Sequence, residues 1–197
     1  MIAAVVLAAG GARRFGRPKQ VLEHGGRPLV ETAVRAVLGG GCDPVFVVVG
    51  AHAEVVSRAL ADLSVQVVPN PGWEEGMASS IRLGVERVAN EPRAEAVLLI
   101  PSDLPHASAS VVCRLIEAAR GRPGDVLRLA ACAYAGTLGP PALFPRSQFG
   151  RLLRLSGDQG AKSILLEQAQ HVAQVAWPEG EWDVDRPDDR RDGSNAL

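Results

Sequence analysis

Six consecutive apolar residues, Ile2-Ala3-Ala4-Val5-Val6-Leu7, run into a break of small residues at Gly10-Gly11. A strand with no polar alternation has both faces covered, the condition met in parallel sheets with helices above and below. The first half of the chain repeats the theme. Pro28 to Leu38 carries apolar residues at Leu29, Val30, Ala33, Val34, Val37 and Leu38, a helical period that stops at Gly39-Gly40-Gly41. Val45 to Val49 predicts a second strand, Ala53 to Leu63 a helix, and Val65 to Val68 a third strand ended by Pro69-Asn70-Pro71. Ser79 to Val88 predicts a helix, Ala96 to Ile100 a fourth strand, and Ala109 to Ala119 another helix. This strict β-α alternation implies a mostly parallel, doubly wound sheet with right-handed crossovers. Aromatic residues are only 4% of the chain, so Val, Leu, Ala and Ile must build the core.

Beyond Gly121 the pattern loosens. Leu127 to Ala133 and Pro141 to Phe144 predict strands joined by a Gly/Pro-rich loop. Gln148 to Leu155 and Ala161 to Gln170 predict short helices, and Val172 to Ala176 a last strand. No internal repeat is visible. The expectation is one domain over residues 1–190, its second half decorating the first, with a disordered tail at 191–197.

Charge excludes several classes of partner. With 21 basic and 22 acidic side chains, the chain has no overall field to attract nucleic acid or an anionic membrane, so a phosphate ligand must be held locally. The cysteines, Cys42, Cys113 and Cys132, form no CxxC pair and read as buried structural thiols of a reducing compartment. The apolar N-terminus lacks a preceding basic region, as a signal peptide would need, and no run approaches the ~18 apolar residues of a membrane span. A cytoplasmic protein is expected.

In doubly wound folds ligands bind beyond the carboxyl ends of strands, so the loops after the first, third and fourth strands come under scrutiny. The first is Leu7-Ala8-Ala9-Gly10-Gly11, continuing through Arg14 to Lys19. Small residues let the backbone approach a ligand, and successive amides can face phosphate oxygens. Arg14 offers a two-pronged phosphate grip and Lys19 a compact charge. The stretch is neither GxGxxG nor a Walker A loop, and a tight turn with solvated basic residues is the competing reading. In the second loop, Asn70 to Ile81, Ser79 or Ser80 either caps the following helix or bonds a nucleotide that Gly76 allows to come close. In the third, Asp103 either caps a turn or offers carboxylate oxygens to Mg²⁺. Near the end, Asp183 and Asp185 share one side of an extended segment, either as a solvated acidic tail or as partners in a cation site.

Together these loops resemble the MobA-like nucleotidyltransferase family, and within it the molybdenum cofactor cytidylyltransferases. The family opening LAAGxSxRMGxxK is matched by LAAGGARRFGRPK from Leu7 to Lys19. Its G-M-x-x-S segment is matched by Gly76-Met77-Ala78-Ser79-Ser80, and its D-x-P by Asp103-Leu104-Pro105. Its Gly-Asp-x-Gly-Ala segment is matched by Gly157 to Ala161, and its closing D-[IV]-D-T-P-[ED]-D by Asp183 to Asp189. The resemblance implies a Rossmann-like three-layer α/β/α fold of the nucleotide-diphospho-sugar transferase type. It makes Leu7 to Gly10 the nucleotide cradle, sets Arg14 and Lys19 on the triphosphate, and makes Asp103 and Asp185 the magnesium ligands. Two positions depart from the pattern: Gly139-Pro140-Pro141 stands where Gly-His-Pro is usual, and Arg186 replaces a Thr.

The implied reaction is attack of an acceptor phosphate oxygen on the α-phosphorus of an NTP, with pyrophosphate leaving. An ionised acceptor needs no general base, so His24, His52 and His106 are expected bystanders; His171 precedes the last strand and has no evident partner. LAAG rather than the LAGG of guanylyltransferases favours CTP over GTP, since the Ala9 methyl narrows the base pocket. The expected acceptor is molybdopterin, with transient contact to a molybdenum hydroxylase. A sugar phosphate or another small phosphate is the alternative that Pro140 motivates. A non-catalytic chaperone that hands the cofactor to a hydroxylase is the third reading.

Overall fold

The computed structural model describes residues 1–11, 18–122 and 124–182. Seven strands form one sheet. In chain order its strands and their neighbouring elements begin with β1 (Ile2–Ala8), followed by the two-residue strands β2 (Glu23–His24) and β3 (Arg27–Pro28) of a separate hairpin. Then come α1 (Leu29–Gly39), β4 (Val45–Val49), α2 (Ala53–Ala59), β5 (Gln66–Pro69), α3 (Met77–Ala89), β6 (Ala96–Pro101) and α4 (Ala109–Arg120). The second half contributes β7 (Ala130–Tyr134), β8 (Thr137–Pro145), α5 (Phe149–Leu152), α6 (Lys162–Glu167) and β9 (Ala173–Ala176).

The sheet order is β5-β4-β1-β6-β8-β7-β9, and β8 is its antiparallel member. β1 lies at the centre, parallel to β4 (Ala4 opposite Val45 through Ala8 opposite Val49) and to β6 (Ile2 opposite Ala96 through Leu7 opposite Pro101). The chain winds from β1 outward through β4 to β5, then returns past β1 to β6. That reversal puts α3 on the opposite face from α1, α2 and α4 and opens a crevice at the carboxyl ends of β1 and β6.

Two apolar layers follow from period-two alternation along the strands. Ala4, Val6 and Ala8 pack with Val30, Val34 and Val37 of α1 and with Val112 and Leu115 of α4. Ala3 and Val5 face the other way, toward Ile81 and Val85 of α3, Phe149 and Leu152 of α5, and Ile164 and Leu165 of α6. Helix α3 sits unusually close to β1, because a Cβ on Gly84 would stand 2.4 Å from a Val5 methyl carbon. No helix among the described residues is long and apolar enough to cross a membrane.

The sequence expectations meet the structure well in the first half and less well in the second. α2 stops at Ala59 instead of Leu63; beyond it the chain tightens into turns, with Leu60 N–H donating to the Ser57 carbonyl at 3.1 Å. α3 begins at Met77, so its serines lie inside the first turn and do not precede it. The expected Gly/Pro-rich loop between the late strands is a correction: Gly139-Pro140-Pro141 runs inside β8. The connection is instead a two-residue turn at Ala135-Gly136, both with positive φ (48° and 70°), the twist that suits a tight hairpin. The helices expected over 148–155 and 161–170 shrink to Phe149–Leu152 and Lys162–Glu167, flanked by single tight turns. The β2–β3 hairpin went unread despite the Gly25-Gly26 pair between its strands. Cys42 and Cys132 are buried, which pushes each thiol up to about 12, whereas Cys113 is only half-buried. The expected tail at 191–197 lies outside the described residues.

Candidate active site

β8 runs antiparallel to β6, so its early residues share the sheet edge with the carboxyl ends of β1, β6, β7 and β9. A cavity of about 930 Å³ opens along that edge. Leu7 lines it from β1, Ala9, Gly10 and Gly11 from the residues just past that strand, and Lys19 and Gln20 from the turn leading toward α1. Gly76, Met77 and Ser80 come from the start of α3, Ser102 and Asp103 from the loop after β6, Asp158 from the segment before α6, and Lys162 from its first residue. Four stretches singled out in the sequence thus share one cavity. Arg14, Asp183 and Asp185 lie outside the described residues.

The glycine turn is held by its carbonyls. Leu7 O accepts from Ser102 N–H at 3.1 Å and Ala9 O from Ala51 N–H at 3.3 Å. The Gln20 side-chain amide donates to Ala8 O at 3.2 Å and Gly10 O at 2.7 Å. In a trans peptide the N–H points opposite to its C=O, so the Ala9 and Gly11 N–H groups face away from Gln20. Gln20 is 5% exposed, and its Oε1 has no hydrogen-bond partner among the described residues. Gln20→Leu preserves bulk but strips the donors from both carbonyls. It is expected to cost about 2 kcal/mol in urea unfolding and to raise the KM for nucleotide. Trp73 lies across the turn, where a Cβ on Gly11 would meet its ring at 2.8 Å.

The second wall is tied by polar contacts. Asn70 is buried, donates through Nδ2 to Ser79 Oγ (2.9 Å) and Ser80 Oγ (3.0 Å), and accepts from Gly72 N–H (3.0 Å). Ser79 in turn donates to Gly76 O at 2.8 Å. Ser80 therefore reaches the cavity while Ser79 is committed to the loop, and Ala8 is packed in the core. Neither serine caps α3, which starts from Gly76 without a side-chain cap.

Gly76 joins two segments far apart in sequence. Its φ of +121° suits glycine, and a Cβ there would lie 2.5 Å from both Asp158 Oδ1 and Gly157 O. Ala78 N–H donates to Gly157 O at 3.1 Å, and Gly160 packs against Met77 Sδ. Arg82 secures the neighbourhood by donating to Leu155 O (2.7 Å) and both oxygens of Glu75 (2.9 and 2.7 Å). That hydrogen bond from Arg82 holds the Glu75 carboxyl below its ordinary range.

The β7 end completes the cavity with Tyr134, Pro140 and Glu181. Tyr134 donates to Pro140 O at 3.1 Å, and its ring meets Trp177 edge-on at 6.1 Å. None of the four histidines lines the cavity; His24 and His106 contact each other edge-on at 5.3 Å. Gln20, Trp73, Tyr134 and Lys162 were not singled out from sequence. A polar residue directly after Lys19 and a lone Trp in a glycine-containing loop were the available signals for the first two.

Four carboxylates (Glu74, Asp103, Asp158, Glu181) and two ammonium groups (Lys19, Lys162) line the cavity among the described residues. Such an acidic wall repels a polyanion unless a cation intervenes, and carboxylate oxygens suit a hard divalent ion. Among the described residues no group of three or more acidic, His or Cys side chains forms a ready metal site.

Residues 4–173 match the family model of the MobA-like NTP transferase domain. The chain belongs to that family. A MobA-like frame also accounts for its structural neighbours. A crystal structure of Rv0371c from Mycobacterium tuberculosis H37Rv superposes with a TM-score of 0.80 at 32% identity, covering 96% of this chain and 95% of that one. A second structure of that protein, in complex with manganese, gives a TM-score of 0.76 at 30% identity over 96% of each chain. A nucleotidyl transferase from Methanothermobacter thermautotroptrophicus gives 0.79 at 26% identity, covering 96% and 94%. Among curated proteins, nicotine blue oxidoreductase of Paenarthrobacter nicotinovorans is 38% identical over 177 residues, 85% of this MobA-like chain and 82% of that protein.

Proposed function

We propose that the chain is a cytoplasmic, Mg²⁺-dependent transferase that moves CMP from CTP to the phosphate of molybdopterin and releases pyrophosphate. The observation that carries the reading is the convergence of the Leu7, Gly76, Asp103 and Gly157 segments on one cavity at the carboxyl edge of the sheet. The Ala9 and Gly11 N–H groups bind phosphate oxygens of the nucleotide. Lys19, with Arg14, neutralises charge gathering on the departing pyrophosphate, and Ser80 bonds the ribose or a phosphate. The metal is held by Asp103 and Asp185, and when bound it screens the meeting of two anionic substrates. The acceptor oxygen enters already ionised, so no side chain must remove a proton.

Turnover of CTP and GTP on molybdenum-loaded molybdopterin, read as pyrophosphate release, tests the substrates; use of GTP with no use of CTP would overturn the assignment. Ala9 is 5% exposed and lines the cavity beside Gly50. Ala9→Gly is therefore expected to move the CTP-to-GTP ratio of kcat/KM toward GTP by roughly tenfold, the scale of one methyl in a shaped pocket. An acceptor panel including sugar phosphates separates molybdopterin from the alternative that Pro140 favours. A transient contact with a molybdenum hydroxylase follows from the same reading, since the product must reach its user.

A second reading rests on the 38% identity to the protein named nicotine blue oxidoreductase. The cavity would then accept a planar dye and a hydride donor. Oxidation of a reduced nicotinamide by that dye, with no NTP present, would favour it over nucleotidyl transfer.

A further inference from the structure

The cavity volume of about 930 Å³ lies at the upper end of the range for a single small-molecule site. Its two described cations reach it from different layers of the fold. Lys19 belongs to the turn leading toward α1, whose apolar face packs with α4 on one side of the sheet. Lys162 opens α6, whose Ile164 and Leu165 are buried with α3 and α5 on the other side.

We propose that Lys162 anchors the anionic group of the second substrate. This rests on the transferase reading and adds to it a residue and a chemical class of acceptor. The ammonium group is exposed to the cavity and makes no hydrogen bond or ion pair among the described residues. Two nearby basic side chains that do not line the cavity are committed elsewhere, Arg82 to Glu75 and Leu155 O, and Arg151 to Glu167. The backbone that carries Lys162 is rigidly placed. Gly157 accepts from Ala78 N–H, Gly76 abuts Asp158, and the buried side chains of α6 tie the helix to β8.

Asp158 and Glu181 also face the cavity. These carboxylates share the cavity with Lys162 and disfavour a polyphosphate chain there. They favour a single anionic head on a body rich in N–H or O–H donors, which the carboxylates accept. The acceptor class is therefore a phosphomonoester with hydrogen-bond donors, a description that fits a pterin phosphate or a sugar phosphate, and the kinetic arms separate the two.

The test compares Lys162→Ala and Lys162→Arg with the native chain. Alanine is expected to raise the acceptor KM roughly tenfold or more, the loss typical of one charge-assisted contact, with the KM for CTP changed less than twofold. Arginine should restore most of the affinity. A parallel rise in the KM for CTP would place Lys162 on the triphosphate and overturn the proposal, as would an unchanged acceptor KM. The second arm needs no turnover: inorganic phosphate is titrated and followed by ³¹P NMR. The native chain should bind phosphate at two sites, Lys162→Ala at one, and Lys19→Ala should keep the site that Lys162→Ala loses. Loss of no site in Lys162→Ala would refute the anchor even if transfer is confirmed. A native chain inactive toward every phosphate acceptor, yet losing a phosphate site with Lys162, would instead sink the transferase reading alone.

Discussion

Asp103→Asn is expected to lower pyrophosphate release by about two to three orders of magnitude while leaving the fold in place. The residue lies two positions past the end of β6, where Pro101 pairs with Leu7 and Ser102 N–H donates to Leu7 O at 3.1 Å. The backbone on which the carboxylate sits is thus fixed by the central strands, and replacing one oxygen with NH₂ alters charge without altering shape. Removing that charge takes away the group proposed to hold the cation between two anionic substrates. The measurement is steady-state pyrophosphate release with CTP and molybdopterin, alongside a thermal melt. A rate within threefold of native would remove Asp103 from the mechanism. A silent transferase whose cells still mature their molybdenum hydroxylase would favour the chaperone reading.

Gly76→Ala should have the largest effect on stability. A side chain at φ +121° is strained by about 1–3 kcal/mol. The new Cβ also falls 2.5 Å from the Gly157 carbonyl oxygen, a backbone atom that cannot rotate aside, and overpacking of that kind adds about 1–3 kcal/mol. Together these predict a loss of about 2–6 kcal/mol and a melting temperature lower by roughly 4–24 °C. Gly160→Ala is the control. There the neighbour is the flexible end of Met77, with Sδ at 3.2 Å, and a loss under about 1 kcal/mol is expected. A Gly76→Ala melt within 2 °C of native would mean that the two segments are not held together as described.

Legibility differed between the two halves of the chain for a physical reason. Each strand of the parallel half is followed by a helix with its own apolar stripe, so Val45–Val49 and Ala96–Pro101 stand out within their own windows. In the second half the strands pair through a hairpin and the helices are only four and six residues long. Such short pieces owe their form to the neighbours they pack on, not to their own period. Gly139 and Pro140, expected in a loop ahead of a strand at Pro141, belong to the strand itself for that reason: β8 is held by β6 and β7 on either side.

The candidate site divides the same way. The residue types able to hold phosphate, Gly10, Gly11 and Lys19, and the carboxylate of Asp103, could be picked out because they follow apolar strands, and strand ends are where this architecture opens. The sequence alone therefore determined the layers, the edge of the sheet where the cavity opens, and the family. Only the tertiary structure decided that Gln20 turns back to hold Ala8 and Gly10, that Gly76 abuts Asp158, and that Lys162 shares a cavity with Lys19. Periodicity is a local property of the chain, whereas each of those contacts depends on which loops the folded sheet brings to the same edge.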